Sequence, residues 1–233
     1  MNPVPTDPVL DSLNLHEPNR TCLTNGRFID HKWYLKGGGD FYFPYFLEAI
    51  DKYGAKKKYN RCFEWCCGHG RIGWEILTQG ISNELTFSDI YDLAVYTGFQ
   101  NAKKLNYDQV FTGYVTPTIS GIPDNEVWDL VVGNPPNALN DGGYAETQDP
   151  DMPKEMYDLG KRLMIDTDFV AHKEFFANIR PHLTDDADIF ITAQLNQKDI
   201  LEDILTQENF KLVEIVDMFP IDLGLKVMLI KSN

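Results

Sequence analysis

Short apolar runs alternate with stretches of helical spacing along most of this chain. Seven runs have the length and the aromatic and β-branched content typical of strands. They span 61–67, 84–88, 108–115, 127–133, 186–194, 210–219 and 225–232. Apolar positions three and four residues apart predict helices over 43–53, 91–105 and 198–207, and a helix that ends near Gly80. A further helix is predicted from about residue 161, with Ile165, Phe169, Phe176 and Ile179 broadly on one side.

This alternation predicts the fold class. Repeated strand–helix units are typical of an α/β protein in which helices cover both faces of a mostly parallel sheet. The last two strands are joined by only about five residues, PIDLG, which is too few for a crossover helix. We therefore predict a Rossmann-like sheet of seven strands with an antiparallel last strand.

The remaining segments predict the domain organisation. The first thirty or so residues are rich in Pro, Asn and Asp and show no sustained period, so 1–36 is predicted to be an N-terminal arm or cap and 37–233 a single domain. The glycines at 37–39 predict a flexible loop, and Pro44 suits the first turn of the helix after it. The polar stretch from Ala138 to about Lys161 is predicted to be an insertion or a loop.

Charge and cysteine content exclude several classes of protein. The 233 residues carry 35 Asp and Glu against 21 Lys and Arg, a formal net charge of −14. Such a balance disfavours a large surface for nucleic-acid backbones. We see no signal peptide and no apolar run of the roughly 18 residues that a membrane span needs, so a cytoplasmic protein without membrane partners is expected. The four cysteines lack the spacing of a zinc site, and no metal is expected.

A glycine loop is the first group of residues that indicates chemistry. Gly68, Gly70 and Gly73 read G-x-G-x-x-G between a predicted strand and a predicted helix, where glycine lets the backbone approach a ligand. Asp89 closes the next strand, where a carboxylate can accept hydrogen bonds from both ribose hydroxyls. Together they predict a nucleoside-containing cofactor. The alternative is a tight turn with a helix-capping aspartate. His69, between the glycines, is expected to point outward.

Glu64 discriminates between cofactors. It lies inside the first predicted strand, four residues before Gly68. A carboxylate there would repel a pyrophosphate but suits a ligand with cationic groups, such as the sulfonium and ammonium of S-adenosylmethionine. The alternative is a structural hydrogen bond at a strand end or helix terminus.

A second group, Asn134-Pro135-Pro136-Asn137, follows the fourth predicted strand. Carboxyl ends of parallel strands are where open α/β sheets bind ligands, and the two prolines restrict the backbone. The side-chain oxygen of Asn134 and a backbone carbonyl could together orient an attacking NH2 group and stabilise its developing charge. We predict Asn134 and Pro135 as catalytic; the alternative is a plain proline-rich turn.

These segments resemble the class I S-adenosylmethionine-dependent methyltransferases. FEWCCGHGRIG, FSD and WDLVVGNPPN look like the cofactor loop, the ribose-binding acid and the catalytic loop of the N-methyltransferases with an Asn-Pro-Pro-aromatic loop, which include the release-factor glutamine and adenine-N6 methyltransferases. The resemblance implies S-adenosylmethionine as cofactor and a class I methyltransferase fold. It implies cofactor contacts from Glu64, Cys66, Gly68, Gly70, Asp89 and Asn134, and substrate contacts from Pro136 and Asn137.

Three features depart from that family. Cys66 replaces a usual glycine, Tyr114 and Val115 stand where an acid often contacts the adenine, and Asn137 replaces the aromatic residue that stacks on the target. The target preference of the family therefore does not carry over directly.

The sequence predicts an S-adenosylmethionine-dependent methyltransferase that acts on an amide or amino nitrogen of a protein or nucleic acid. A small amine stays open as an acceptor, and a long duplex is disfavoured by the acidic charge, although Lys52, Lys56, Lys57, Lys58 and Arg61 form one basic cluster. Two other classes remain: an NAD-dependent oxidoreductase, which fits the three glycines, and a non-catalytic binding module, which fits the altered Cys66 and Asn137.

Overall fold

The structure is a computed structural model that describes residues 19–31, 39–137, 154–216 and 225–233. Predictions made for 1–18, 32–38, 138–153 and 217–224 lie outside the described residues.

The described residues form nine strands and six helices. The strands are β1 (Asn19–Cys22), β2 (Phe28–His31), β3 (Tyr59–Trp65), β4 (Ser82–Asp89), β5 (Phe111–Val115), β6 (Trp128–Gly133), β7 (Leu183–Gln194), β8 (Phe210–Val216) and β9 (Leu225–Ser232). The helices are α1 (Gly39–Tyr53), α2 (Arg71–Thr78), α3 (Asp92–Leu105), α4 (Lys154–Met164), α5 (Val170–Ile179) and α6 (Lys198–Gln207).

Seven of these strands make one sheet in the order β5-β4-β3-β6-β7-β9-β8. The pairs among β3 to β7 are parallel, whereas β9 is antiparallel to both β7 and β8. The predicted seven-stranded, mostly parallel sheet with an antiparallel last strand is confirmed. The strand order reverses between β3 and β6, which is the point where open α/β sheets form a ligand crevice.

Helices cover both faces because the central strands are apolar on both sides. One register row, Phe63, Val131, Ile189 and Ile230, packs with α5 and α6. The neighbouring row, Val132, Phe190 and Leu229, packs on the opposite face with α1, α2 and α3, and Glu64 lies in register with it. Glu64 is therefore a carboxylate placed in an otherwise apolar row of the sheet.

Helix α1 begins earlier than its apolar spacing predicts. It starts at Gly39, which was expected to belong to a loop, and Pro44 therefore lies inside the helix rather than in its first turn. Pro44 has no N–H to donate to the carbonyl of Asp40, and its side chain is exposed. Asp40 in the first turn favours this start because it complements the helix dipole.

The single helix predicted from about residue 161 is wrong, because two helices meet there at a break. Helix α4 already begins at Lys154, inside the stretch predicted to be a loop, and α5 begins at Val170. Between them Asp168 and Phe169 both have φ of 56°, in the left-handed region. The carboxylate of Asp166 accepts the backbone N–H groups of Ala171 and His172, and so caps α5.

Residues 19–31 fold as a hairpin that the sequence did not predict. Strands β1 and β2 pair antiparallel, and buried polar side chains hold the hairpin against the domain. Asn101 of α3 accepts the N–H of Asp30 at 2.8 Å and donates to its carbonyl at 2.7 Å. Glu75 of α2 accepts the N–H of Thr24 at 2.9 Å. The described end of the predicted arm is thus docked on the sheet's helices.

Replacing Asn101 should loosen the hairpin. In Asn101→Leu both backbone groups of Asp30 lose their partner, so we expect the free energy of unfolding to fall by about 1–3 kcal/mol. Hydrogen exchange should show lower protection in β1 and β2 than elsewhere. Gln100→Leu, an exposed change on the same helix, should stay within about 0.5 kcal/mol. Unchanged protection of the hairpin in Asn101→Leu would contradict this docking.

Candidate functional site

A cavity of about 260 Å³ opens at the carboxyl ends of β3, β4 and β6. Six of the residues predicted for the site line it: Glu64, Cys66, Gly68, Asp89, Asn134 and Pro136. Gly70, Pro135 and Asn137 are buried beside it and do not form its wall. Segments distant in sequence are thus brought together at the sheet edge where the sequence placed the site.

The glycine loop after β3 requires its glycines for two separate reasons. Gly68 and Gly70 have φ of 52° and 73°, a conformation that side chains rarely adopt. A Cβ on Gly70 would also collide with the ring of Phe87, and one on Gly73 would lie 2.5 Å from Glu64 Oε2. The first two glycines therefore shape the turn, while Gly70 and Gly73 also let α2 pack closely on the sheet.

Cys66 adopts a backbone conformation that glycine reaches more easily than any other residue. Its φ is 54°, so its Cβ strains the backbone, and its side chain packs against the core on the α5–α6 face. Burial raises the pKa of the Cys66 and Cys67 thiols well above their ordinary values, and the negative charge of Asp89 adds to this. Both thiols are therefore poor nucleophiles.

Glu64 connects the sheet to the first turn of α2. Its Oε2 accepts the backbone N–H of Gly73 at 2.8 Å, and the N–H of Ile72 also donates to the carboxylate. Burial raises the pKa of Glu64 to about 8, against the lowering effect of these two hydrogen bonds. The structural hydrogen bond considered as the alternative for Glu64 is present, and the same side chain lines the cavity.

Asp89 connects the end of β4 to the glycine loop. Its Oδ2 accepts the N–H of Gly68 at 2.8 Å, and its Oδ1 accepts the N–H of Tyr91 at 2.9 Å. Burial raises the pKa of Asp89, while these backbone donors lower it. The N–H of Ile90 also donates to this carboxylate, and with three backbone donors the two oxygens still have acceptor capacity for a further donor in the cavity.

The charge lining the cavity is dominated by carboxylates. Among its lining residues in the described part of the chain, Arg71 is the one permanently charged cation. Its guanidinium is held by Glu75 at 2.7 Å and by the carbonyl of Cys22 at 2.6 Å, and it stacks on the ring of Phe43. Since Arg71 is committed to these partners, Asp89 and the ionised form of Glu64 set the sign of the field in the cavity.

The Asn-Pro-Pro-Asn loop is tied to the end of β7. Thr192 donates its hydroxyl to Asn134 Oδ1 at 2.6 Å. Asn137 is buried, and its Nδ2 donates to the carbonyl of Pro135 at 2.7 Å. Asn134 and Pro136 face the cavity, whereas Asn137, which was predicted to contact substrate, folds back on its own loop.

Several residues near the cavity were not predicted as part of it. His69 does not point outward as expected: it is buried, 3.3 Å from Asp40, with its ring 4.9 Å from that of His31. Leu163, Met164 and Ile165, at the junction of α4 and α5, also line the cavity. The apolar character of these three was the available signal, but the polar sequence before them obscured it.

The basic cluster lies at the amino ends of the strands, opposite to the end that carries the cavity. Its lysines and Arg61 precede or begin β3, whereas the cavity lies at the carboxyl end of that strand. Lys56 pairs with Asp186 at 2.9 Å, Lys57 pairs with Asp51 at 2.8 Å, and Arg61 pairs with acidic neighbours. This cluster is therefore separate from the cavity and largely neutralised.

The described residues provide neither a metal-binding cluster nor a membrane-spanning helix. They contain no group of three or more His, Cys, Asp or Glu side chains placed to hold a metal ion. None of their helices is long and apolar enough to cross a bilayer.

Comparison with known proteins shows that the fold of this chain is similar to the folds of several solved structures. No family model and no curated protein sequence matches the chain. Among solved structures, the 16S rRNA N2 G1207 methyltransferase RsmC of T. thermophilus, in complex with AdoMet and guanosine, is similar with a TM-score of 0.61 and 12% identity over 93% of this chain and 50% of its own. This chain thus spans half the length of that enzyme.

Two further solved structures have a similar fold. The putative methyltransferase yhhF of Escherichia coli has a TM-score of 0.55 and 12% identity, covering 92% of this chain and 100% of its own. The ribosomal protein L11 methylase of Lactobacillus delbrueckii subsp. bulgaricus has a TM-score of 0.51 and 15% identity, covering 80% and 76%. The predicted Rossmann-like class I methyltransferase fold is confirmed.

Variants at the two adjacent cysteines should separate backbone strain from packing. Cys66→Gly and Cys66→Ala both remove the thiol, but only glycine also removes the left-handed strain, which costs roughly 1–2 kcal/mol. After allowing for the greater freedom of glycine in the unfolded chain, Cys66→Gly should be the more stable by up to about 1 kcal/mol in denaturant unfolding.

At Cys67 the order should reverse. Its φ is not positive, so Cys67→Ala should be more stable than Cys67→Gly by about 0.5–1 kcal/mol. The same order at both positions would contradict the strain assigned to Cys66.

Proposed function

We propose that this protein is an S-adenosylmethionine-dependent methyltransferase that acts on an amide or amino nitrogen of a protein or nucleic-acid target. The observation that carries the proposal is the pair of carboxyl side chains that line the cavity. Glu64 and Asp89 face it, while Arg71 is already paired with Glu75. Such a cavity favours a nucleoside ligand with cationic groups and no phosphate.

The same charge disfavours the oxidoreductase alternative. A dinucleotide would place a pyrophosphate near the glycine loop, next to Glu64 and with no uncommitted cation among the described lining residues. S-adenosylmethionine fits these side chains because the carboxylate of Asp89 can accept hydrogen bonds from ribose hydroxyls, and the carboxylate of Glu64 can attract the methionine ammonium. Gly68 and Gly70 would let the backbone approach, and Cys66 would contact the cofactor beside them.

Asn134 would position the target nitrogen. Its side chain lies at the cavity wall, and one lone pair of Oδ1 remains after the bond from Thr192. That oxygen would accept an N–H bond from the target and aim the nitrogen lone pair. The Pro135 carbonyl, which was predicted as the second acceptor, is buried beside the cavity and already receives Asn137 Nδ2. When bound, S-adenosylmethionine would supply an electrophilic methyl group to the nitrogen held by Asn134, with S-adenosylhomocysteine as the leaving group and one proton lost from the methylated nitrogen to solvent. Pro136 would form the wall on the substrate side.

The acceptor is proposed to be a protein segment or a short, unpaired nucleic acid. Solved structures with this fold include a ribosomal protein methylase and an rRNA methyltransferase by their names, so both macromolecules are compatible with it. A long duplex would need cations beside the cavity, whereas the basic cluster lies at the opposite edge of the sheet and is largely paired.

Cofactor affinity should depend on pH through Glu64. Because burial raises the pKa of Glu64 to about 8, the Glu64 carboxyl is protonated at lower pH. A cationic ligand that binds there must displace the proton of Glu64. We expect the affinity for S-adenosylmethionine to rise from about pH 6 to about pH 7.5, by at most about tenfold per pH unit. Calorimetry in buffers of different ionisation enthalpy should show proton release on binding.

Glu64→Gln should abolish this pH slope and bring the affinity at every pH near the low-pH value of the native protein. In the unliganded protein the folded pKa of about 8 lies above the ordinary 4.5. Ionisation of Glu64 therefore lowers the free energy of unfolding as pH rises between those values, and Glu64→Gln should remove this effect too. Glu84→Gln, on an exposed side chain of β4, is the control. No binding at millimolar S-adenosylmethionine would refute the cofactor assignment.

Methyl transfer should depend on Asn134. Labelled S-adenosylmethionine is incubated with fractionated protein, RNA, DNA and metabolites, and we expect label in protein or in unpaired nucleic acid. Asn134→Ala should lower the rate roughly 100-fold or more, with a cofactor Kd within about threefold of the native value.

Asn83→Ala, an exposed change at the start of β4, should transfer at the native rate. Undiminished transfer by Asn134→Ala would overturn its assigned role. Tight cofactor binding without transfer to any fraction would instead favour a non-catalytic binding module.

A further inference from the structure

A chain of three hydrogen bonds lies behind the catalytic loop. Asn137 Nδ2 donates to the Pro135 carbonyl at 2.7 Å and to Thr192 Oγ1 at 3.2 Å. The hydroxyl of Thr192 in turn donates to Asn134 Oδ1 at 2.6 Å. Thr192 and Asn137 are 0% and 7% exposed, so water competes little for these bonds.

The direction of each bond in this chain is fixed. A backbone carbonyl only accepts, so the Pro135 carbonyl requires the NH2 end of the Asn137 carboxamide to face it. That NH2 group also meets Thr192, whose oxygen must then accept, which leaves the hydroxyl proton for Asn134. The carboxamide of Asn134 consequently turns its oxygen, rather than its NH2 group, towards Thr192.

The backbone of Asn137 is anchored as well. Gln197, a buried residue just before α6, donates its Nε2 to the Asn137 carbonyl at 3.1 Å. The loop is thereby held at two points, to β7 through Thr192 and to the segment just before α6 through Gln197. The hydrogen-bond chain is therefore anchored on β7, and the backbone of Asn137 is anchored on the start of α6.

From this geometry we infer that Thr192 and Asn137 are positioning residues, which lock the Asn134 carboxamide so that its oxygen is the acceptor offered to the target nitrogen. The inference rests on the proposed function. A free carboxamide could rotate and present its NH2 group, which would repel the N–H groups of a target amide or amine. Asn137 thus acts through Asn134 instead of touching the substrate, and an aromatic side chain at 137 could not make these bonds.

The sharpest test replaces the Thr192 hydroxyl. Thr192→Val keeps the shape of the side chain and breaks the chain of bonds, so kcat for methyl transfer should fall roughly 10- to 100-fold. The Kd for S-adenosylmethionine should change less than about threefold. Thr192→Ser, which restores the hydroxyl, should recover most of kcat. Thr86→Val, which removes another buried strand hydroxyl away from the cavity, should leave kcat unchanged.

A second measurement does not require the methyl acceptor. With 15N-labelled asparagine, the side-chain NH2 signal of Asn137 should exchange slowly with solvent in the native protein and in Thr192→Ser. It should exchange at least about tenfold faster in Thr192→Val, because the bond that this NH2 group donates to Thr192 is lost. Unchanged exchange in Thr192→Val would overturn the lock.

The two measurements separate the possible failures. Faster exchange in Thr192→Val with an unchanged kcat would show that the lock exists but does not position the target, and would overturn the inference. A native protein with slow exchange that binds S-adenosylmethionine and methylates no fraction would overturn the proposed function instead. Loss of kcat with rescue by Thr192→Ser, together with faster exchange in Thr192→Val, is the expected result.

Discussion

The carboxylate of Glu64, buried within the sheet, is the constraint on which the cavity depends. It replaces an apolar side chain in the row of Val132, Phe190 and Leu229, and it receives the N–H groups of Ile72 and Gly73. An unpaired carboxylate at this depth would be strongly destabilising, so the first turn of α2 must lie against β3. That position in turn requires Gly73, since a Cβ there would meet both Glu64 and the core. The turn that joins strand and helix is thereby forced to pass along the edge of the cavity.

The hydrogen bonds in the wall of the cavity connect strands to the loops that follow their neighbours. Asp89 joins the end of β4 to the glycine loop through Gly68, and Thr192 joins the end of β7 to the loop after β6 through Asn134. Each connection uses only part of the hydrogen-bonding capacity of its oxygen atoms. The same groups can therefore hold the walls together and still accept donors from a ligand. A negative, partly satisfied set of acceptors is suited to a ligand that brings positive charge and N–H or O–H groups.

The sequence was most informative where structure is decided locally. The apolar runs of the central sheet and the helix over 198–207 could be predicted, because burial on both faces and helical spacing are visible within a few residues. The β1–β2 hairpin could not, since its four-residue strands are held by Asn101 and Glu75 from distant segments. Likewise, His69 is buried by Asp40 and His31, which no local pattern connects to it. The break before α5 had no glycine to indicate it, because Asp168 and Phe169 themselves adopt the left-handed backbone.

The separation of charge across the sheet bears on the target of the proposed reaction. The paired lysines lie at the amino ends of the strands, while the rim of the cavity carries exposed apolar side chains, Ile90 and Met164, at 63% and 40%. A phosphate backbone lying over this rim would meet carboxylates and apolar groups instead of cations. With Asn137 folded into its own loop, that residue also offers no ring on which a base could stack. A target held by apolar contact, with its nitrogen directed by Asn134 as proposed, therefore suits this surface better than one held through its phosphates.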